Sequence, residues 1–389
     1  MKRVPFVLVL GSLTAAPLVA QRPAGGAFVI RLGSDTTAVE RFTRTATRLE
    51  GDVVSRAPHT TVRHYVVDFA PNGNVTRAEI VVRLPGAPVT ATPLQRILAT
   101  FTGDSAVVEI RRDTAVQTRR IAVAAGTVPM VGGAASTFAS FELLAQRFRA
   151  ARSDSLPVRA YYLGGASTTM MGVKAIGRDS LWIYDGNDVF HARADNDGLI
   201  QGAVPLSGTQ QFSIARVATV DIDGLATAFA ARERQGQGLG QLSTRDTVRA
   251  TVAGASLWID YGRPAKRGRV LFGSTIVPWG EVWRTGANAA TQFRTDRDLE
   301  LGGVRLPAGF YTLWTIPSQS GWKLLINSET GQWGTNHHAN RDVFQLDMRV
   351  ATLPQPVERF TIAVAPDGQG GVLKLQWDAT EASIPFTVR

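Results

Sequence analysis

Between Thr61 and Leu84 the chain alternates apolar and polar residues, broken once by Pro71-Asn72-Gly73-Asn74. Successive side chains of a strand point to opposite faces, and Asn-Gly supplies the positive φ angles of a tight turn, so this stretch reads as a β-hairpin. The pattern recurs on both sides. Phe28–Leu32, Thr37–Thr43 and Leu49–Ser55 precede it, and Ser105–Arg111 and Val116–Ala122 follow. With 38 Gly and 19 Pro among 389 residues, short strands and turns are favoured throughout over long helices.

One helix is expected inside this run. Phe138, Phe141, Leu144, Ala145 and Phe148 fall on one face at three-and-four spacing, with Ser136 placed to cap it. After Pro157 the strands resume as Val158–Leu163, Thr168–Ile176, Ser180–Tyr184, Val189–Ala194 and Leu199–Pro205, with Asp185-Gly186-Asn187-Asp188 and Asp195-Asn196-Asp197-Gly198 as turns. Two strand groups around one helix imply a curved antiparallel sheet, half-barrel-like, wrapped on that helix. Such a sheet would offer an apolar concavity lined by Phe138, Phe141 and Phe148.

A chain of this length exceeds one ordinary core, so two domains are expected. Asp223 to Arg234 reads as a short helix and Gln235–Gln241, rich in Gly and Gln, as a linker. Residues 24–220 then form the first domain, 221–242 the connection and 243–389 a second, an antiparallel β-sandwich or jelly roll. In this reading Val270–Gly273 is a strand, and Phe344–Val350, Phe360–Val364, Val372–Trp377 and Ser383–Val388 are four separate ones.

At the N-terminus, Lys2-Arg3 precedes an apolar stretch from Val4 to Ala20, and Gln21-Arg22-Pro23 restores polarity. This is the layout of a secretory signal peptide of residues 1–20, and Pro5, Gly11 and Pro17 argue against a membrane span. A periplasmic or secreted protein is the expectation. The sequence has no cysteine, which excludes a lipoprotein anchor, disulfides, thiolate metal sites and a Cys nucleophile. The net charge of +10 is dispersed, with Arg commonly beside Asp. Specific nucleic-acid binding is therefore not expected. The one tight basic run, Lys266-Arg267-Gly268-Arg269, reads as a loop, and the overall positive charge would suit a general affinity for anionic surfaces such as lipopolysaccharide or acidic lipids.

The second domain also carries long ordered strings. Asp260-Tyr261-Gly262-Arg263-Pro264, Arg267-Gly268-Arg269 and Phe272-Gly273 lead into Val277-Pro278-Trp279-Gly280-Glu281-Val282-Trp283-Arg284-Thr285-Gly286-Ala287-Asn288. Pro307–Tyr311, Leu313–Pro317, Trp322, Gly331-Gln332-Trp333-Gly334 and Trp377-Asp378 follow. Across these 140 or so residues the chain resembles the bacterial domain of unknown function 2911 family. The resemblance implies a domain boundary and an envelope setting, and it implies no reaction. The family has Glu where this chain has Ala290, so a role for that carboxylate is not carried over.

Candidate ligand contacts concentrate at Arg263, Trp279, Glu281, Trp283, Arg284 and Asn288. In an extended segment Trp279, Glu281 and Trp283 share one face, and two indoles beside a carboxylate and a guanidinium suit a sugar. The alternative is that both indoles close the end of the sandwich core, with Arg284 pairing with Glu281 or stacking on a ring. Trp314, Trp322 and Trp377 sit in strand-like runs and read as core. Glu281 with Asp260 would serve as a glycosidase pair only at a defined separation. Of the five histidines, the adjacent His337-His338 have Asp342 as the close carboxylate, and a loop is a better reading than a metal site. No nucleophile elbow, Ser-x-x-Lys motif or P-loop is present, Gly236-x-Gly238-x-Gly240 reads as linker, and no cofactor is implied. Three functions stay open: a non-enzymatic binding or accessory protein for an envelope lipid, glycan or protein; a carbohydrate-binding or carbohydrate-active protein; and a structural interaction protein.

Overall fold

A computed structural model describes residues 24–206 and 211–389. The expected signal peptide, residues 1–20, lies outside the described residues. The fold is mainly β, in two sheets with few helices and no closed barrel.

The first sheet takes β1 (Ala24–Leu32), β2 (Asp35–Arg44), β3 (Arg48–Ser55), β4 (Thr61–Phe69), β5 (Val75–Arg83), β6 (Gln95–Thr102), β7 (Ser105–Arg112), β8 (Ala115–Ala122) and β9 (Val128–Met130). Helix α1 (Ala139–Ala151) intervenes, and β10 (Ser155–Tyr162), β11 (Thr169–Gly177), β12 (Ser180–Tyr184), β13 (Val189–Ala194), β14 (Ile200–Pro205) and β15 (Phe212–Val217) complete it. The order is β8-β7-β6-β5-β4-β3-β2-β1-β15-β14-β13-β12-β11-β10-β9. The two expected strand groups are thus joined into one sheet by antiparallel pairing of β1 with β15. That seam, β6 and the short parallel β9 were not expected from the sequence.

The sheet curls so that its β9–β10 end approaches β4 and β6. Arg63 on β4 donates to the carbonyl of Val131, just after β9, at 3.2 Å, and a β-carbon on Gly164 would stand 3.0 Å from Ile97 of β6. Helix α1 fills the curl. Phe138 stacks on Phe141 at 4.6 Å and meets Phe28 and Phe190 edge-on, and Phe148 is buried too. The three phenylalanines are therefore core, and the expected cavity lined by them is corrected: their own rings occupy the space.

Ser136 does not cap α1. The helix starts without a cap from its own segment, and the buried Glu40 of β2 substitutes from across the core. Its Oε2 accepts from the backbone N–H of Phe138 (2.5 Å) and Ala139 (3.0 Å), while Oε1 accepts from the Tyr65 hydroxyl (2.8 Å). A carboxylate suits the positive end of a helix, and it satisfies amides that would otherwise be orphaned. Burial outweighs these bonds and raises the Glu40 carboxyl from 4.5 to about 7.

Helix α2 (Ile222–Arg232) begins at Asp221, whose carboxylate accepts from Gly224 N–H, and packs Ile222, Ala226 and Phe229 on Val39 and Val54. A π turn, Glu233–Gln237, follows, and Glu233 accepts from Thr60 N–H at 2.7 Å and pairs with His59. The connection is thus tied to the first sheet on its outer face.

The second sheet holds β16 (Ser243–Val252), β17 (Ala255–Pro264), β18 (Thr291–Thr295), β19 (Leu299–Leu301), β20 (Val304–Leu306), β21 (Gly309–Pro317), β22 (Trp322–Asn327), β23 (Asp342–Asp367) and β24 (Gly370–Val388). Its order is β16-β17-β18-β21-β22-β23-β24-β19-β20. The four strands expected after Phe344 are two long ones. Their register breaks between Thr352, Val357 and Thr361, where the pair bends. The far half of β23 then packs on β17: Phe360 meets Tyr261 at 5.7 Å, and Ile362 N–H donates to the Tyr261 hydroxyl. Val270–Gly273 is not a strand but part of a loop, with one bridge from Phe272 to Val277.

Candidate functional site

A cleft of about 880 Å³ opens where the two sheets meet. Its first-sheet wall is the turn between β12 and β13. Asp185 Oδ1 accepts from the N–H of Asn187 (2.9 Å) and of Asp188 (2.8 Å), and the Tyr162 and Tyr184 hydroxyls donate to the carbonyls of Asp185 and Gly186. Burial, and then the neighbouring Asp185, hold the Asp188 carboxyl above the usual carboxylate range.

The opposite wall comes from the long β17–β18 loop and the segment after β22. Trp283 exchanges backbone hydrogen bonds with Thr315 (2.7 and 2.9 Å) and stacks on Trp377 at 5.9 Å, with 5% of its surface exposed. Ala290 and Gly334 donate to the carbonyls of Gln332 and Asn288, stapling residues 288–290 to 332–334. Gly334 is required there, because a β-carbon would stand 2.1 Å from Arg284 Cδ. Arg284 is buried, which lowers its pKa, and Asn288 is exposed in a left-handed conformation with φ of 64°. Trp333 leaves this staple 54% exposed and lines the cleft. The Gly331–Gly334 and Trp283–Asn288 strings are therefore one structural unit.

The basic run closes the junction. Arg267 pairs with Asp35 of the first sheet, and its carbonyl accepts from Ser34 N–H at 3.0 Å. Lys266 pairs with Asp378, and Arg269 donates to the carbonyls of Ala265 and Lys266. All three cations have partners within the protein, and through Arg267 the run latches the two sheets together.

Of the expected site residues, Trp283, Arg284 and Asn288 line the cleft, and Arg263, Trp279 and Glu281 do not. Gly280, at φ +77°, turns the chain between the two indoles, so Trp279, Glu281 and Trp283 do not share one face. Trp279 stacks on Phe272 at 5.9 Å and stays 38% exposed, whereas Trp283 is core. Arg263 is committed to Asp246 and the Thr361 hydroxyl at 3.1 Å each. Asp260 is engaged by Arg245 and Thr247, while Glu281 is on an exposed loop, and neither lines the cleft. Trp314, Trp322 and Trp377 are buried as expected.

His337 Nε2 donates to the Asp342 carboxylate at 2.9 Å and lies 4.9 Å from the Trp314 ring, more enclosed than a solvated loop would leave it. Among the described residues no group of three His, Asp or Glu is placed to hold a metal ion. Ala290 is fully buried on Trp314 and Leu325. Asp185, Asn187, Asp188, Arg269 and Trp333 also line the cleft and were not expected as site residues. Asp185–Asp188 read as a turn, and only Trp333, inside a Gly-bounded string, carried a signal.

No helix among the described residues is long and apolar enough to cross a membrane. No curated protein matches the chain. Two solved structures are similar to it at 10% identity. A DUF1089 family protein from Pseudomonas aeruginosa covers 44% of this chain and 90% of its own, with a TM-score of 0.30. A beta-barrel-like protein of domain of unknown function DUF1849 from Brucella abortus covers 50% of this chain and 95% of its own, with a TM-score of 0.33. The first sheet matches no family model. Residues 243–386, which hold the stapled wall of the cleft, match the family described as Protein of unknown function (DUF2911), the family their ordered strings resemble.

Proposed function

We propose that this is an exported, non-enzymatic binding protein that holds a small hydroxyl-rich molecule, a short glycan segment, in the cleft between its sheets. The observation that carries the reading is the half-exposed Trp333 ring on a wall with Arg284 and Asn288, across from Asp185, Asn187 and Asp188. An indole face packs on pyranose C–H groups, while carboxylates, amides and a guanidinium bond to hydroxyls. The charged groups are also occupied structurally: Asp185 holds its turn and Arg269 holds two carbonyls. Such groups position a ligand better than they exchange protons with it. Export rests on the Lys2–Ala20 sequence pattern.

The test is thermal stability of the mature chain, from Gln21 onward, against oligosaccharides, peptidoglycan fragments and envelope lipids. A ligand at 100 times its Kd adds about 2.7 kcal/mol to folding stability. A glycan shift abolished in Trp333→Ala is expected. No glycan shift, or a glycan shift that survives that substitution, would overturn the assignment.

A further inference from the structure

We propose a second binding site, for a phosphate group, in a pocket of about 320 Å³ between helix α1 and the β4–β5 hairpin. It shares no residue with the interdomain cleft. Its lining includes Arg44, Phe69, Asn72, Asn74, Leu143 and Arg147.

The pocket gathers donors. Arg147 is aimed by two backbone carbonyls, Gly126 at 3.0 Å and Gly73 at 2.9 Å, which take two of its five N–H groups. Arg44 makes no side-chain hydrogen bond or ion pair among the described residues. The carboxylate that acts on Arg44 through space is Glu142, and it is already committed. Glu142 Oε2 accepts from Ile200 N–H at 2.8 Å and pairs with Arg216. Two guanidiniums, Arg44 and Arg216, thus share one carboxylate, and Arg44 faces the pocket together with Arg147, whose positive charge it opposes.

The amides point the same way. Asn72 Oδ1 accepts from Asn74 N–H at 3.1 Å, and Asn74 Oδ1 accepts from Gly126 N–H at 2.9 Å. Those bonds orient each side chain, whose NH₂ remains a donor. Two guanidiniums and two amide NH₂ groups are complementary to an oxyanion with several lone pairs. A phosphate, at about −1.5 to −2 near neutral pH, matches the local excess of positive charge. Phe69 and Leu143 form an apolar side to the pocket, which suits an organic phosphate as well as the inorganic ion.

The experiment is isothermal titration calorimetry of the mature chain at constant ionic strength with inorganic phosphate and with glycerol 3-phosphate. Flotation with phosphatidylglycerol vesicles, and with phosphatidylcholine vesicles as control, forms the membrane arm. Binding in any arm that falls at least tenfold in Arg44→Ala and is partly kept in Arg44→Lys supports the site. The arm that shows it identifies the source as a free phosphate, a phosphomonoester or an anionic headgroup. Arg44 is partly exposed, so its variants are expected to fold, with circular dichroism as the check; Asn72→Ala, at an exposed hairpin position, is the second probe and is expected to weaken the same binding. No Arg44-dependent binding in any arm overturns the proposal.

Discussion

Gly33 and Arg267 belong to different sheets, yet the Arg267 carbonyl lies 1.9 Å from where a β-carbon on Gly33 would stand. Gly33 is at φ +60°, in the turn between β1 and β2, and the neighbouring Ser34 N–H bonds to that same carbonyl. The tip of the first hairpin is therefore a docking element for the second sheet, and glycine is required twice over, by backbone angle and by space.

Gly33→Ala is expected to destabilise the junction by more than the left-handed strain alone, which is about 1 kcal/mol. Gly103, at φ +61° with nothing near its absent β-carbon, is the control. Calorimetry should show Gly103→Ala as a small shift of the whole transition. Gly33→Ala should separate the unfolding of the two sheets. Equal behaviour of the two variants would remove the latch from the account.

Glu40 makes stability fall with pH. Its folded carboxyl titrates at about 7 against 4.5 ordinarily, so between those values the folded state keeps a proton that the unfolded chain has released. The stabilisation is complete below about pH 4.5, is lost as pH rises towards 7, and is constant above. At about 1.4 kcal/mol per pH unit the window spans about 3 kcal/mol. Urea unfolding at pH 5 and pH 7.5 should reveal the decline, and Glu40→Gln should flatten it while retaining an acceptor for the helix amides.

The tryptophans should divide by burial. Trp377→Ala and Trp283→Ala remove stacked core rings and are expected to cost about 3–5 kcal/mol in chemical denaturation. Trp333→Ala is expected to stay within about 1 kcal/mol of the parent, so that a lost ligand response there reports on the cleft alone.

Phe141→Ala serves the same purpose in the first sheet. The ring is fully buried between Phe138 and Phe190, so a loss of about 3–5 kcal/mol is expected, with no gain or loss of lipid binding. A lipid response abolished by this change in a folded variant would restore the concavity reading.

Much of the fold was legible because period two and turn chemistry are local. Thr61–Phe69 and Val75–Leu84 around Asn-Gly became β4 and β5, and the phenylalanine stripe became α1. The β1–β15 seam was not legible, since Phe212–Val217 is a short run whose partner lies far away in sequence. Nor was the cap of α1: no local residue supplies it, and Glu40 is 98 positions from Phe138. The candidate site was half legible. Trp283, Arg284 and Asn288 come to the cleft with their neighbours in sequence, but Gly280 throws Trp279 elsewhere, and Asp185 and Asp188 arrive from the other sheet.

The seam also sets an order of events. In the pair Leu32 with Phe212, the two partners stand 180 positions apart, and every strand between them must be made before β1 gains its second neighbour. Until then the first strand of the sheet carries a bare edge, the kind of surface on which chains add to one another. Closing so long a loop is also slow. A chain built this way gains from being kept unfolded until β15 has been made, because the edge of β1 stays open until then.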